Sequence, residues 1–398
     1  MSEEDAGIQG NVMARREDYY DIFIEAISMN KVLLVTVQGN YNYGNRLQNY
    51  ALRTIISEMG FLVDDLCFNP TILGREDRRS AMIKWRIWTL LGRRGFRERY
   101  AKLRREDRMI RFSERYTPRL LVPAKEVWTR DWSGYAFGVT GSEQVWHNWH
   151  HSYCDNELKY YYLSFLPKEK RVSYAPSFGF TAFPEEDLGA HREGLMGMNA
   201  LSCREAEGCA LIRDFTGREA QKVLDPVLLL RPEDWERMEK KPIFSVKRPY
   251  LLQFFLGEVT KEYREEIERI RKEQGLELLN INDPSEPEHY GLSPAEFIWL
   301  IHHAKAVCTD SFHASAFSVI FGVGLRAFPR VQDGMTDMFG RIRDLLAPLG
   351  LMELAYGVGK DGKLSTALDP EAQAHFDAER EKSLLYLKKH LHVPDTGA

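Results

Sequence analysis

Residues 307–321 read Val307-Cys308-Thr309-Asp310-Ser311-Phe312-His313-Ala314-Ser315-Ala316-Phe317-Ser318-Val319-Ile320-Phe321. With Ala306 before it, the apolar start reads as a short buried strand. Thr309, Asp310 and Ser311 form a polar turn, and from His313 onward small and apolar residues fall at helical spacing. A strand running straight into a helix start is the unit of a doubly wound α/β sheet, and such junctions are where these sheets place ligands. The free N–H groups and dipole of a helix start favour an anion there. His313 adds a group able to carry a proton near neutral pH. The plainer reading is an N-cap by Asp310 or Ser311 with His313 packed in a domain interface. These residues alone leave both readings open.

Outward from this stretch the same pattern recurs. Tyr250 to Phe255 reads as a strand, Gly257 as its loop, Lys261 to Gln274 as a helix and Leu276 to Ile281 as the next strand. Ser293 and Pro294 are suited to N-cap and N1 of a helix reaching His303. Nearer the start, Lys31 to Gln38 is a β-branched apolar run, followed by Gly39-Asn40-Tyr41-Asn42-Tyr43-Gly44-Asn45 and a helix from Leu47 to Met59 with Gly60 as its stop. Strands at Tyr135–Val139, Arg171–Tyr174 and Ala200–Cys203 each lead into a polar loop. Two doubly wound Rossmann-like domains facing across a cleft follow from this alternation. The expected limits are a lead-in at 1–30 ending in a helix from Tyr20 to Met29, a first domain at 31–230, a linker at 231–247, a second domain at 248–352 and a helical tail at 353–398.

Composition narrows the function. The 398 residues carry a net charge of −4, with 44% apolar and 28% charged residues, which fits a globular protein and gives no global field for nucleic acid. The five cysteines show no zinc spacing and suit reduced thiols in the cytoplasm. The charged N-terminus lacks a signal-peptide core, and no apolar run is long enough to span a bilayer. Residues 75–111 stand apart: fourteen Lys and Arg against five Asp and Glu, with Trp85, Ile87, Trp88, Leu90, Leu91 and Phe96 interleaved. They read either as a solvated helix pair with one apolar face or as a surface-lying segment that attracts a polyanionic substrate or anionic lipid at the inner face of the membrane.

Two further clusters bear on chemistry. His147, His150 and His151, followed by Cys154 and Asp155, lack a complete ligand signature, so no metal is assigned. The loop at 39–45 lacks the glycine spacing of a dinucleotide site, but its tyrosines and amides suit a hydroxyl-rich partner.

Taken together, six blocks resemble the polysaccharide pyruvyl transferase family over roughly residues 31–351. They are Asn42-Tyr43-Gly44-Asn45-Arg46-Leu47-Gln48-Asn49-Tyr50-Ala51-Leu52, Gly141-Ser142-Glu143-Gln144-Val145-Trp146, Tyr174-Ala175-Pro176-Ser177-Phe178-Gly179, Ser202-Cys203-Arg204-Glu205, Leu224-Asp225-Pro226 and Thr309-Asp310-Ser311-Phe312-His313. The resemblance implies a fold like that of two-domain B-type glycosyltransferases (GT-B). It also implies transfer of the enolpyruvyl group of phosphoenolpyruvate to a sugar or lipid-linked oligosaccharide of a surface polysaccharide, giving a pyruvate ketal without a cofactor. His313 is then the expected proton donor. Asp310, Glu205 and Glu143 are the candidates for the base, with Asp310 grouped with His313. Arg204, Ser311, Phe312, Gly257 and Arg341 are expected on the donor side. Asn42, Tyr43, Gly44, Asn45, Gln48, Ser142, Gln144 and Trp146 are expected on the acceptor side. In some members an arginine stands where this chain has Ser311. Lys305, Arg326, Arg330 and Arg341 are the candidates to replace it. The alternative on the same architecture is a glycosyltransferase using a nucleotide sugar, and a non-catalytic glycan-binding protein is the third class. Oligomeric state is left open.

Overall fold

The structure is a computed structural model that describes residues 30–68, 78–92, 95–147, 157–247, 249–331, 339–358 and 363–394. The expected lead-in helix, His150, His151, Cys154 and Asp155 lie outside the described residues.

The first domain is built on a parallel sheet of β1 (Lys31–Val35), β2 (Leu62–Cys67), β3 (Arg119–Leu121), β4 (Phe137–Thr140) and β5 (Arg171–Ser173), in the order β3-β2-β1-β4-β5. The pair β6 (Ser202–Cys203) and β7 (Gln221–Lys222) runs parallel beside it, joined through a bridge from Val172 to Ala200. The second domain has β8 (Tyr250–Phe254), β9 (Glu277–Asn280), β10 (Ala306–Thr309) and β11 (Gly324–Ala327), in the parallel order β11-β10-β8-β9. Both sheets are therefore doubly wound. The winding reverses between β1 and β4 in one and between β8 and β10 in the other, and crevices at such switch points hold ligands. The two doubly wound domains expected from the alternation are present, in the GT-B-like arrangement that the resemblance implies.

Helix α1 (Tyr43–Glu58) begins four residues earlier than the apolar period predicts, because the Asn42 side chain accepts from the Gly44 N–H and caps it there. Arg46, fully buried, ties the helix to the β1 exit by donating to Gln38 Oε1 at 2.8 Å. The basic segment forms two helices, α2 (Arg78–Leu90) and α3 (Phe96–Tyr116). The second of these is a clamp between domains. Arg105 donates to Tyr290 O at 2.9 Å and Ile281 O at 3.1 Å, with its guanidinium 3.5 Å from the Tyr290 ring centre, and Arg108 pairs with Glu296.

Farther along run α4 (Leu188–Gly197), α5 (Ala206–Thr216), α6 (Lys261–Glu273), α7 (Pro294–His302), α8 (Phe312–Ile320), α9 (Gly340–Leu346) and α10 (Pro370–His390). Ser293 and Glu296 form the capping box that starts α7. The segment expected as a linker, 231–247, packs against both domains: Trp235 is fully buried, its ring 4.9 Å from Phe317 and 5.7 Å from Tyr50. The helical tail expected at 353–398 is packed as well. Helix α10 returns to the first domain, where the Tyr386 hydroxyl donates to Ser173 O at 2.9 Å and Ser383 Oγ accepts from the Leu224 N–H. Among the described residues no helix is long and apolar enough to cross a membrane.

Candidate active site

The C-terminal ends of β4, β6, β7 and β10 meet at one buried polar cluster. Arg204 follows β6 and stands on one side of it. Its Nη1 lies 2.7 Å from Asp225 Oδ2 and 3.5 Å from Glu143 Oε2, and its Nε lies 2.9 Å from Glu205 Oε1. His313, in the first turn of α8, reaches the same carboxylate oxygen from the second domain, with Nε2 3.7 Å from Asp225 Oδ2. That is an ion-pair separation, too long for a hydrogen bond. Asp225 is 1%, His313 4% and Arg204 5% exposed. Asp225 Oδ1 accepts from the Val227 N–H and Oδ2 from the Ser142 hydroxyl, so its orientation is fixed from three directions.

The electrostatics follow from this crowding. Burial alone would raise the Asp225 carboxyl, yet the neighbouring His313 and Arg204 hold it well below the ordinary carboxylate range. Glu143 is likewise depressed. Burial opposes its ionisation, and the charges of His313, Arg204 and Arg341 outweigh burial. Arg341, at the start of α9, lies 3.9 Å from Glu143 Oε2. Burial and the nearby Arg204 push its pKa down to about 10, so it stays a cation at neutral pH but an unfavourably placed one. Arg204 moves the other way: burial disfavours its charge, and three carboxylates more than restore it. Arg204 Nη2 and His313 Nε2 are both buried without a hydrogen-bond partner among the described residues.

The expected residues divide. His313, Arg204, Arg341, Glu143, Glu205 and Ser142 come together, and Phe312 lays its ring 4.9 Å beneath the Arg204 guanidinium. A cleft between the domains is lined by Arg204, Asp225, Phe312 and Arg341 with Lys222 and His375. A second opening, sharing Glu205 and Arg341, runs along Ser177, Phe178, Gly179 and Phe180. Gly44 belongs to the site for a steric reason: a Cβ there would lie 2.0 Å from His313 Nδ1. The bare start of α1 thus lets the His313 ring pack against it.

Asp310 is not placed as a base. Its oxygens accept from the Leu256 and Gly257 N–H groups at 2.7 and 2.8 Å, and Arg330 stands 3.4 Å away, so it fixes the β8 exit loop. Gly257 accordingly spends its N–H on Asp310, and Ser311 caps α8. On the acceptor side Tyr43 is fully buried, stacked 4.5 Å from Phe297 across the domain boundary with its hydroxyl on Tyr290 O. Trp146, also fully buried, stacks on Tyr162 at 5.0 Å. Gln48 accepts from the Ser142 N–H and so holds the β4 loop. Asn42 is the cap described above. Tyr43, Trp146 and Gln48 are buried and build the scaffold, and Asn42 is partly exposed. Asn45 keeps a buried carbonyl without a partner, and Gln144 packs against Gly179. The residue missed by sequence reasoning is Asp225. It stands in one of the six blocks, and its place next to Pro226 was the only signal.

Glu239, His302 and His303 bring possible metal-ligand atoms within 4.8 Å of one another, where the connecting segment meets the end of α7. None of the three lines the cleft. His302 Nδ1 and Glu239 Oε2 already satisfy each other at 2.9 Å.

Two doubly wound lobes that close over a buried guanidinium, carboxylate and imidazole have the build of a group-transfer enzyme. Residues 42–329 match the family model described as polysaccharide pyruvyl transferase, most of the chain. The chain belongs to the polysaccharide pyruvyl transferase family and is a transferase acting in polysaccharide synthesis. No curated protein matches the sequence. Among solved structures, a putative UDP-N-acetylglucosamine 2-epimerase from Listeria monocytogenes is similar with a TM-score of 0.46 and 11% identity, over 92% of this chain and 98% of that one.

Proposed function

We propose that the donor is phosphoenolpyruvate and that the acceptor is a sugar of a surface polysaccharide or its lipid-linked precursor, on the cytoplasmic side. The observation that supports this most is the meeting of Arg204 and His313, from different domains, on Asp225 Oδ2 at 2.7 and 3.7 Å. Arg204 is shared among three carboxylates, so it orients more than it supplies net charge. Arg341 has most to gain from an anion, because burial and Arg204 disfavour its cation. Arg341 stands in for the arginine absent at position 311 and makes a pair with Arg204. Guanidinium groups from two directions suit the carboxylate and phosphate of the donor.

His313 gives a proton to the methylene carbon of the enolpyruvyl group, which becomes a methyl. Asp225 stabilises the imidazolium beforehand and holds the ring in line. The oxocarbenium-like carbon is attacked by one sugar hydroxyl. A second hydroxyl displaces phosphate and closes the ketal. Glu143, an ionised carboxylate at the edge of the cluster, takes the proton of the first hydroxyl and returns it to His313, and the proton of the second leaves with the phosphate as hydrogen phosphate. The test is release of inorganic phosphate from phosphoenolpyruvate in the presence of candidate acceptors. Phosphate formation that requires both substrates is expected. Thermal stabilisation by nucleotides and none by phosphoenolpyruvate would instead indicate a nucleotide-sugar glycosyltransferase.

A further inference from the structure

Half of the basic segment presents an exposed apolar face among the described residues. Helix α3 turns its arginines onto the second domain, as described. Helix α2 does not. Its Trp88 packs on Phe96 of α3 with ring centres 4.4 Å apart, which fixes its inner face. On the outer face Ile83, Ile87 and Leu90 recur at i, i+4 and i+7, and Leu91 continues the stripe. They are 63%, 50%, 79% and 67% exposed, a contiguous set of large aliphatic side chains in water. Lone exposed apolar residues need no explanation, but a stripe of four does.

Charge identifies the occupant. Lys84 and Arg86 on α2, and Arg99 and Lys102 on α3, are exposed beside the stripe; Arg97 is exposed too but pairs with Glu286, and Glu98 is the acidic residue exposed among them. An aliphatic ridge rimmed by cations fits an anionic bilayer surface, where the ridge enters the acyl boundary and the cations meet lipid phosphates. A protein surface or a second copy of this chain would bring its own polar rim, and nothing on this face is acidic enough to pair with a copy of it. We propose that α2 docks the enzyme on the surface of an anionic membrane, bringing the cleft beside lipid-borne acceptors. The inference rests on this surface and not on the identity of the donor.

The experiment is flotation of the full-length protein with vesicles of phosphatidylcholine alone or with phosphatidylglycerol. Recovery with the anionic vesicles should exceed that with neutral ones by about 10-fold and fall as salt is raised, since each interfacial cation contributes a factor of about 5. The triple variant Ile83→Ser, Ile87→Ser, Leu90→Ser should lose anionic recovery about 10-fold while keeping its melting temperature and its turnover on a soluble acceptor. K84E with R86E should do the same. Equal recovery on both vesicle types, or unchanged recovery in the triple variant, overturns the proposal. So does a dimer in solution that the triple variant makes monomeric. Turnover on a soluble acceptor separates this outcome from a failure of the proposed reaction.

Discussion

At the residue scale the account turns on Asp225, the carboxylate that joins Arg204 to His313. His313→Ala should lower turnover by about 10² or more with a smaller change in donor KM, because a lost proton donor affects the transition state more than binding. Stopped assays of phosphate release measure it, and unchanged turnover would leave His313 a packing residue. Asp225→Asn carries a pH signature. A carboxyl held below its ordinary value stabilises the fold above about pH 4 and loses that contribution as pH falls through its lower folded value. The gap in melting temperature between wild type and Asp225→Asn should therefore be widest near neutral pH and narrow below about pH 4. Near neutrality the cost should be about 3–5 kcal/mol, because Arg204 is left under-compensated in a buried place. A gap that is constant with pH would mean that Asp225 acts by shape alone.

At the scale of elements, the start of α1 and the start of α8 come from different domains and touch. Gly44 is the contact, and it admits no side chain. Gly44→Ala should push His313 aside and reduce turnover at least about 10-fold, while the helix-favouring Ala keeps α1 folded. Circular dichroism would check the second point. Wild-type turnover in this variant would mean that the His313 ring need not sit where it does. The strands were legible because each is a local run of apolar residues followed by a polar loop, and the His313 stretch shows this within a single turn of chain. The edge strands β3 and β11 were not legible as strands in the sequence. Tyr43 and Trp146 misled for a related reason. An aromatic beside a polar loop has the same composition whether it faces a sugar or a neighbouring ring, and only packing tells them apart. Asp310 next to His313 invited a base assignment. What its sequence could not show is that two backbone N–H groups from the β8 exit already occupy it.

Across the whole molecule, the site exists because two lobes are held at one angle. The clamp is distributed: Arg105 of α3 on Tyr290, Tyr43 on Phe297, Trp235 between Tyr50 and Phe317, and α10 crossing back to Ser173. Such contacts join residues far apart in the chain, so no local pattern in the linear sequence displays them. Arg204 belongs to the first lobe and Arg341 to the second, so the two guanidinium groups proposed to hold the donor come from opposite lobes. Calorimetric titration of phosphoenolpyruvate into wild type and Arg341→Gln tests this most directly. Wild type should bind saturably, and binding should weaken about 10-fold or more in the variant, which loses one charge-assisted contact. Equal affinity in both, or binding of a nucleotide in place of phosphoenolpyruvate, would contradict it.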